Sequence, residues 1–158
     1  MTIKTLAAAA AFAAISVAPA LAQSDLITAD PDVVLKALTA QGYAGKLEKL
    51  DSGRPSISVK ISGLNTYMDF YGCDDDFKDC KTILLAVAIN LDDGTTPGKV
   101  NEWNSNQIWG RVYLDDSSDP TLDYTVSLFD GFSPAVFEET VRQWDATIGD
   151  FADFFDFK

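Results

Sequence analysis

Six large apolar side chains, Phe137, Val141, Trp144, Ile148, Phe151 and Phe155, follow one another at spacings of 4, 3, 4, 3 and 4. That period places them on one stripe of a long helix, which Ser133-Pro134 opens with a capping hydroxyl and a proline suited to the first helical position. Such a stripe cannot stay in water. At about 1.5–3 kcal/mol per side chain it represents on the order of 10 kcal/mol of burial before ordering entropy is counted. The helix therefore needs a broad apolar surface to lie on. A 4-3 stripe suits a partner helix as well as the chain's own sheet, and burial in the chain's own core is the expectation.

The residues upstream can provide that sheet. Asp30-Pro31 shows the same cap-then-proline pattern, and Val34, Ala37 and Leu38 share a face until Gly42 ends the turn. Leu47 and Leu50 belong to a short strand. After the Ser52–Pro55 turn, Ile57, Val59 and Ile61 alternate with Ser58 and Lys60, as a half-buried strand requires. Thr66–Tyr71 forms a third strand. Ile83–Leu91 is almost continuously apolar, which predicts a central strand covered on both faces. Thr96-Pro97 opens a short helix with Val100, Trp103 and Gln107 on one side, and Arg111–Asp115 and Leu122–Leu128 make a closing hairpin around Asp116–Pro120. The expected fold is α+β, a mostly antiparallel sheet with three helices packed at its faces or ends, in the order α-β-β-β-β-α-β-β-α.

Residues 1–22 read as a removable secretory signal: Lys4, an apolar run from Leu6 to Val17, then Ala20-Leu21-Ala22 before Gln23. The run is too short and alanine-rich for a bilayer span, and later apolar stretches are interrupted by Asp, Lys, Gly or Pro. Removing 22 of 158 residues leaves 136, enough for a single domain over 23–158 with a real core and no membrane span. The expected location is the periplasm or outside the cell. Export also fits the two cysteines, Cys73 and Cys80, which flank the polar loop Asp74–Asp79 between strands and are expected to form a disulfide. Closing a ring this small stabilises by about 2.5 kcal/mol in the loop-entropy picture.

Composition excludes more chemistry than it suggests. With 12 basic and 24 acidic residues the chain carries −12, which disfavours any phosphate backbone, so no nucleic acid is expected. No histidine is present, which removes the commonest general base and transition-metal ligand. The acidic groups Asp74–Asp76 with Asp79, Asp92-Asp93, and Asp115-Asp116 with Asp119 offer oxygen ligands. However, the calcium-loop pattern starting at Asp74 reaches Leu85 where a bidentate glutamate is required, so these groups read as solvated turns and no metal is assigned. Gly131-Phe132-Ser133-Pro134 puts proline where a serine nucleophile needs an amide donor, so Ser133 reads as a cap and no catalytic residue is assigned. Glycine-rich nucleotide loops are absent, and no cofactor is expected.

What remains is a set of recognition residues. Asn101, Trp103, Asn104, Arg111, Tyr113 and Asp115 bring amides, an indole, a guanidinium and a phenol into two nearby segments and could line a binding groove. The alternative is that Trp103 belongs to the core and both asparagines bond the following loop.

Tyr71-Gly72-Cys73 with Cys80, the Lys99–Asn104 segment, the Arg111–Asp116 strand end and the apolar terminal helix, in this order and spacing, resemble the YbjN-domain family of bacterial sensory transduction regulators. The resemblance spans most of the mature chain. It implies a fold similar to type III secretion chaperones, an α+β architecture that binds polypeptide and often pairs with itself, and it brings no catalytic residue with it. The expected function is an exported, non-enzymatic binding or regulatory module engaging a protein or peptide, as a monomer or weak homodimer. The rival is a small periplasmic hydrolase or carbohydrate-binding protein built on Asp, Glu and aromatic residues. Converging carboxylates in a deep pocket would favour the rival, and a flat apolar patch the module.

Overall fold

The computed structural model describes residues 26–157, so the expected leader lies outside the described residues. The elements are α1 (Pro31–Ala40), β1 (Gly45–Lys49), β2 (Pro55–Ile61), β3 (Leu64–Tyr71), β4 (Thr82–Ala88), α2 (Pro97–Asn106), β5 (Arg111–Leu114), β6 (Pro120–Ser127) and α3 (Pro134–Phe154). Each helix begins as its sequence predicts. The Asp30 carboxylate accepts from the Asp32 and Val33 amides, the Thr96 hydroxyl from Lys99, and the Ser133 hydroxyl from Val136, each followed by proline.

All six strands form one antiparallel sheet in the order β1-β2-β3-β4-β6-β5. The first four make a meander. β6 then pairs with β4, and β5 lies outside it, so β4 and β5 run the same way with β6 between them and α2 makes the crossover.

Register sorts the side chains onto two faces. Ile57, Met68, Leu85 and Tyr124 form one cross-strand row, and Val59, Thr66, Val87, Leu122 and Val112 the next. This is the covered face, and α3 lies on it. Phe137, Val141, Trp144, Ile148, Phe151 and Phe155 are all buried, so the stripe is spent within the chain's own core. The Trp144 indole N–H donates to the Thr66 hydroxyl at 3.4 Å, a polar pin at the centre of the packing. α1 covers the β1–β2 end, where Leu35 and Ile57 both close on Gly45. At the other end the Trp103 ring of α2 meets Phe151 and Phe154 edge-on, with centroids 5.8 and 5.3 Å away.

Two expectations need correction. β4 is central, as predicted, but only one of its faces lies under helices: Leu84 and Ala86 on the other face are half-buried and Ala88 is exposed. Flanking strands shade the middle of a six-stranded sheet, so apolar residues persist there without a second layer. Gln107 is not on the apolar side of α2. It caps the helix with extended backbone angles, and its side chain is exposed.

If α3 is the clamp, Trp144→Ala should cost about 3–5 kcal/mol in denaturant unfolding. A loss below about 1 kcal/mol would show that the indole carries little of the packing.

Candidate functional site

The residues that the sequence grouped as a groove occupy three different environments. Trp103 is fully buried among the terminal phenylalanines. Asn104, the next residue on α2, turns toward the sheet edge: its amide donates to the Val112 carbonyl at 3.0 Å, and its oxygen accepts from the Val112 N–H at 2.8 Å. The side chain thus supplies the bonds that a further strand would supply, and closes the edge of β5. Asn101 is exposed on α2, where its carbonyl accepts from the Ser105 hydroxyl. Arg111 and Tyr113 project from the uncovered face of the sheet. Asp115 is taken up by its own turn, accepting from the Ser117 and Asp119 amides. The six side chains do not converge.

Asp74 and Asp119 are used the same way. One Asp74 oxygen accepts from the Asp76 and Lys78 amides at 3.0 and 2.7 Å, and Asp119 accepts from Leu91 at 2.8 Å across the neighbouring loop. These carboxylates hold turns together, which is why aspartate recurs there. Among the described residues no three Cys, Asp or Glu side chains are placed to hold a metal. Cys73 and Cys80 are joined, closing the loop that carries Phe77. The Phe77 ring rests on Gly53, where a Cβ would come within 3.0 Å of it and φ is +84°.

The uncovered face carries paired charges. Arg111 binds Asp123 through two nitrogens at 2.8 and 2.9 Å, Lys46 binds Glu48 at 2.7 Å, and Arg54 lies 3.9 Å from Asp69 with its guanidinium 4.1 Å from the Tyr71 ring centroid. Its hydrogen bond to Asp123, and then that residue's charge, raise the Arg111 pKa above its ordinary value.

Ile108-Trp109, outside the candidate site residues read from the sequence, forms the most exposed apolar edge among the described residues. Ile108 is 90% exposed beside Arg111, Asp123 and Thr125, whereas Trp109 turns the other way and meets Tyr124 edge-on at 5.6 Å. The signal was Gly110. Its φ is +68°, and a Cβ there would lie 2.7 Å from Leu122 and 3.0 Å from the Asp123 carbonyl, so the chain passes in contact with the interior of β6 just before β5 begins. Between Trp109, Tyr124 and the start of α3 lies a cleft of about 300 Å³ floored by Ala135, Val136 and Thr140. Glu139 stands at its rim, paired with Arg142, whose hydrogen bond holds the Glu139 carboxyl below its ordinary pKa.

A six-stranded antiparallel sheet with all three helices on one face, a bonded-over edge and an apolar cleft defines the α+β scaffold. The profile of the YbjN family, described as a putative bacterial sensory transduction regulator, matches residues 30–157, and the chain belongs to that family. No curated protein and no solved structure gives a significant match.

Asn104→Ala leaves both Val112 groups without protein partners. It should destabilise the fold by about 1–3 kcal/mol and speed exchange of the Val112 amide. Unchanged exchange at Val112 would remove the edge-closing role.

Proposed function

We propose that this chain is an exported, non-enzymatic binding module that engages a protein or peptide partner at the Ile108–Trp109 edge. The observation that carries the reading is the exposure of Ile108 beside the Trp109 cleft. An aliphatic residue left almost wholly in water, next to a half-exposed indole and an apolar cleft of side-chain size, marks a surface made to be covered. Val136, 48% exposed, continues it along α3. Membership of a regulator-type family fits this reading. So does the cleft chemistry: hydrolysis by paired carboxylates needs two that converge, whereas the larger clefts among the described residues each hold at most one. The leader-like composition of residues 1–22 and the joined cysteines support export.

The test is site-specific photo-cross-linking in an exporting bacterium, with the reactive residue at position 108 or, as control, at exposed position 75. The recovered protein should begin at Gln23 by intact mass, and soluble protein retaining residues 1–22 would refute cleavage. A discrete protein adduct is expected from position 108 and not from position 75, with Val136→Asp on the same edge weakening capture from position 108 tenfold or more. Equal labelling from both positions, or none, would overturn the assignment.

A further inference from the structure

We propose that the uncovered face of the sheet is a second site, separate from the Ile108–Trp109 edge, and that it takes a neutral, hydroxyl-rich glycan strand. Register defines its shape. Along β4 the outward residues are Leu84, Ala86 and Ala88, two of them alanines, so the centre of the face is low. On one side stand Tyr67 and Asp69 of β3, paired with Ala86 and Leu84. On the other, Asp123 and Thr121 of β6 are paired with Ala86 and Ala88, and beyond them lie Arg111 and Tyr113 of β5. The result is a low strip along β4, flanked on one side by the exposed Tyr67 ring and on the other by Arg111 and Tyr113, which stand over the buried Asp123 and Thr121. From Leu84 to Ala88 it runs about 13 Å at strand rise, long enough for a short run of sugar rings.

Charge selects among occupants. The face holds Lys46, Arg54, Lys60 and Arg111 against Glu48, Asp69 and Asp123, which is +1, so the remainder of the −12 chain carries −13. Three of these cations are already paired with the three anions on the same face. A polyanion finds no free cation cluster there, and a polycation would be drawn to the acidic remainder instead. What the pairs do present is donors beside acceptors at short range, which matches hydroxyl groups, since each of them donates and accepts at once.

Unmet hydrogen bonding points to the same place. Among the described residues, Arg54 Nε, Ser56 Oγ and Asp69 Oδ1 are buried side-chain atoms without a protein partner, and Ser56 and Asp69 are direct cross-strand neighbours. Ser56 is only 2% exposed although it belongs to the uncovered face. The Arg54–Asp69 contact is long enough for the guanidinium to swing aside, and one ligand hydroxyl could then accept from Arg54 or Ser56 and donate to Asp69. Tyr67, 46% exposed and with no hydrogen bond among the described residues, offers its ring for stacking against a sugar face.

Affinity electrophoresis of the folded protein through gels containing hydroxyethylcellulose, galactomannan or glycol chitin tests this, with polygalacturonate as the anionic control. Retardation by at least one neutral polymer and not by polygalacturonate is expected, reduced tenfold or more by Tyr67→Ala and by Ala86→Glu. Both positions lie off the core, and near-ultraviolet circular dichroism would verify that the variants keep their packing. Val136→Asp, on the α3 side of the protein-binding edge and away from Arg111 and Asp123, should leave retardation unchanged, which separates this site from that edge. Absence of retardation by all three neutral polymers, retardation indifferent to both face variants, or retardation lost with Val136→Asp would each overturn the proposal.

Discussion

The burial of one helix stripe against one sheet face determines most of what this molecule can be. α3 is amphipathic along its whole length and crosses the sheet so that Phe137 and Val141 meet Met68, Ile83, Leu85 and Val126, while Trp144 reaches Thr66. Its last turn builds the aromatic cluster on which α2 docks through Trp103. With α1 filling the β1–β2 end, the covered face is complete. Nothing apolar of comparable size remains among the described residues to form a second layer, so the opposite face meets solvent and carries tyrosines, alanines and ion pairs.

The parts of this plan that depend on local pattern were legible in the chain. Three cap-and-proline steps start the three helices, the 4-3 spacing names the buried side of α3, and alternation in Ile57–Ile61 and Arg111–Leu114 assigns faces correctly. Whatever depended on long-range register was not. Arg111 reads as a free recognition cation until Asp123 is placed opposite it. Asn104 reads as a ligand-facing amide until Val112 arrives at its side. Trp103 and Asn104 are consecutive on a helix and point about 100° apart, and packing sends one into the core and the other to the sheet edge. The Ile108–Trp109 edge was hidden for a related reason: its exposure follows from how Gly110 lies against β6, a contact that no local period encodes.

Acidity serves structure before it serves recognition. Asp30, Asp74, Asp115 and Asp119 each bond backbone amides at a helix start or in a turn, and so supply partners that the backbone would otherwise lack. The same residues give the body of the protein its negative field, against which the internally paired sheet face is close to neutral. A strong net charge disfavours close approach of like molecules, and approach is less costly over the near-neutral sheet face.

Native-state hydrogen exchange of the folded chain tests the central claim most directly, because it reports whether α3 opens with the sheet or apart from it. If the stripe is the clamp, amides from Val141 to Phe151 should exchange within about 1 kcal/mol of the slowest amides in β3, β4 and β6, through a single global opening. Exchange of α3 several kcal/mol more easily, while the sheet stays protected, would mean that the sheet stands without the helix, and would contradict the role of the stripe as the clamp of the fold.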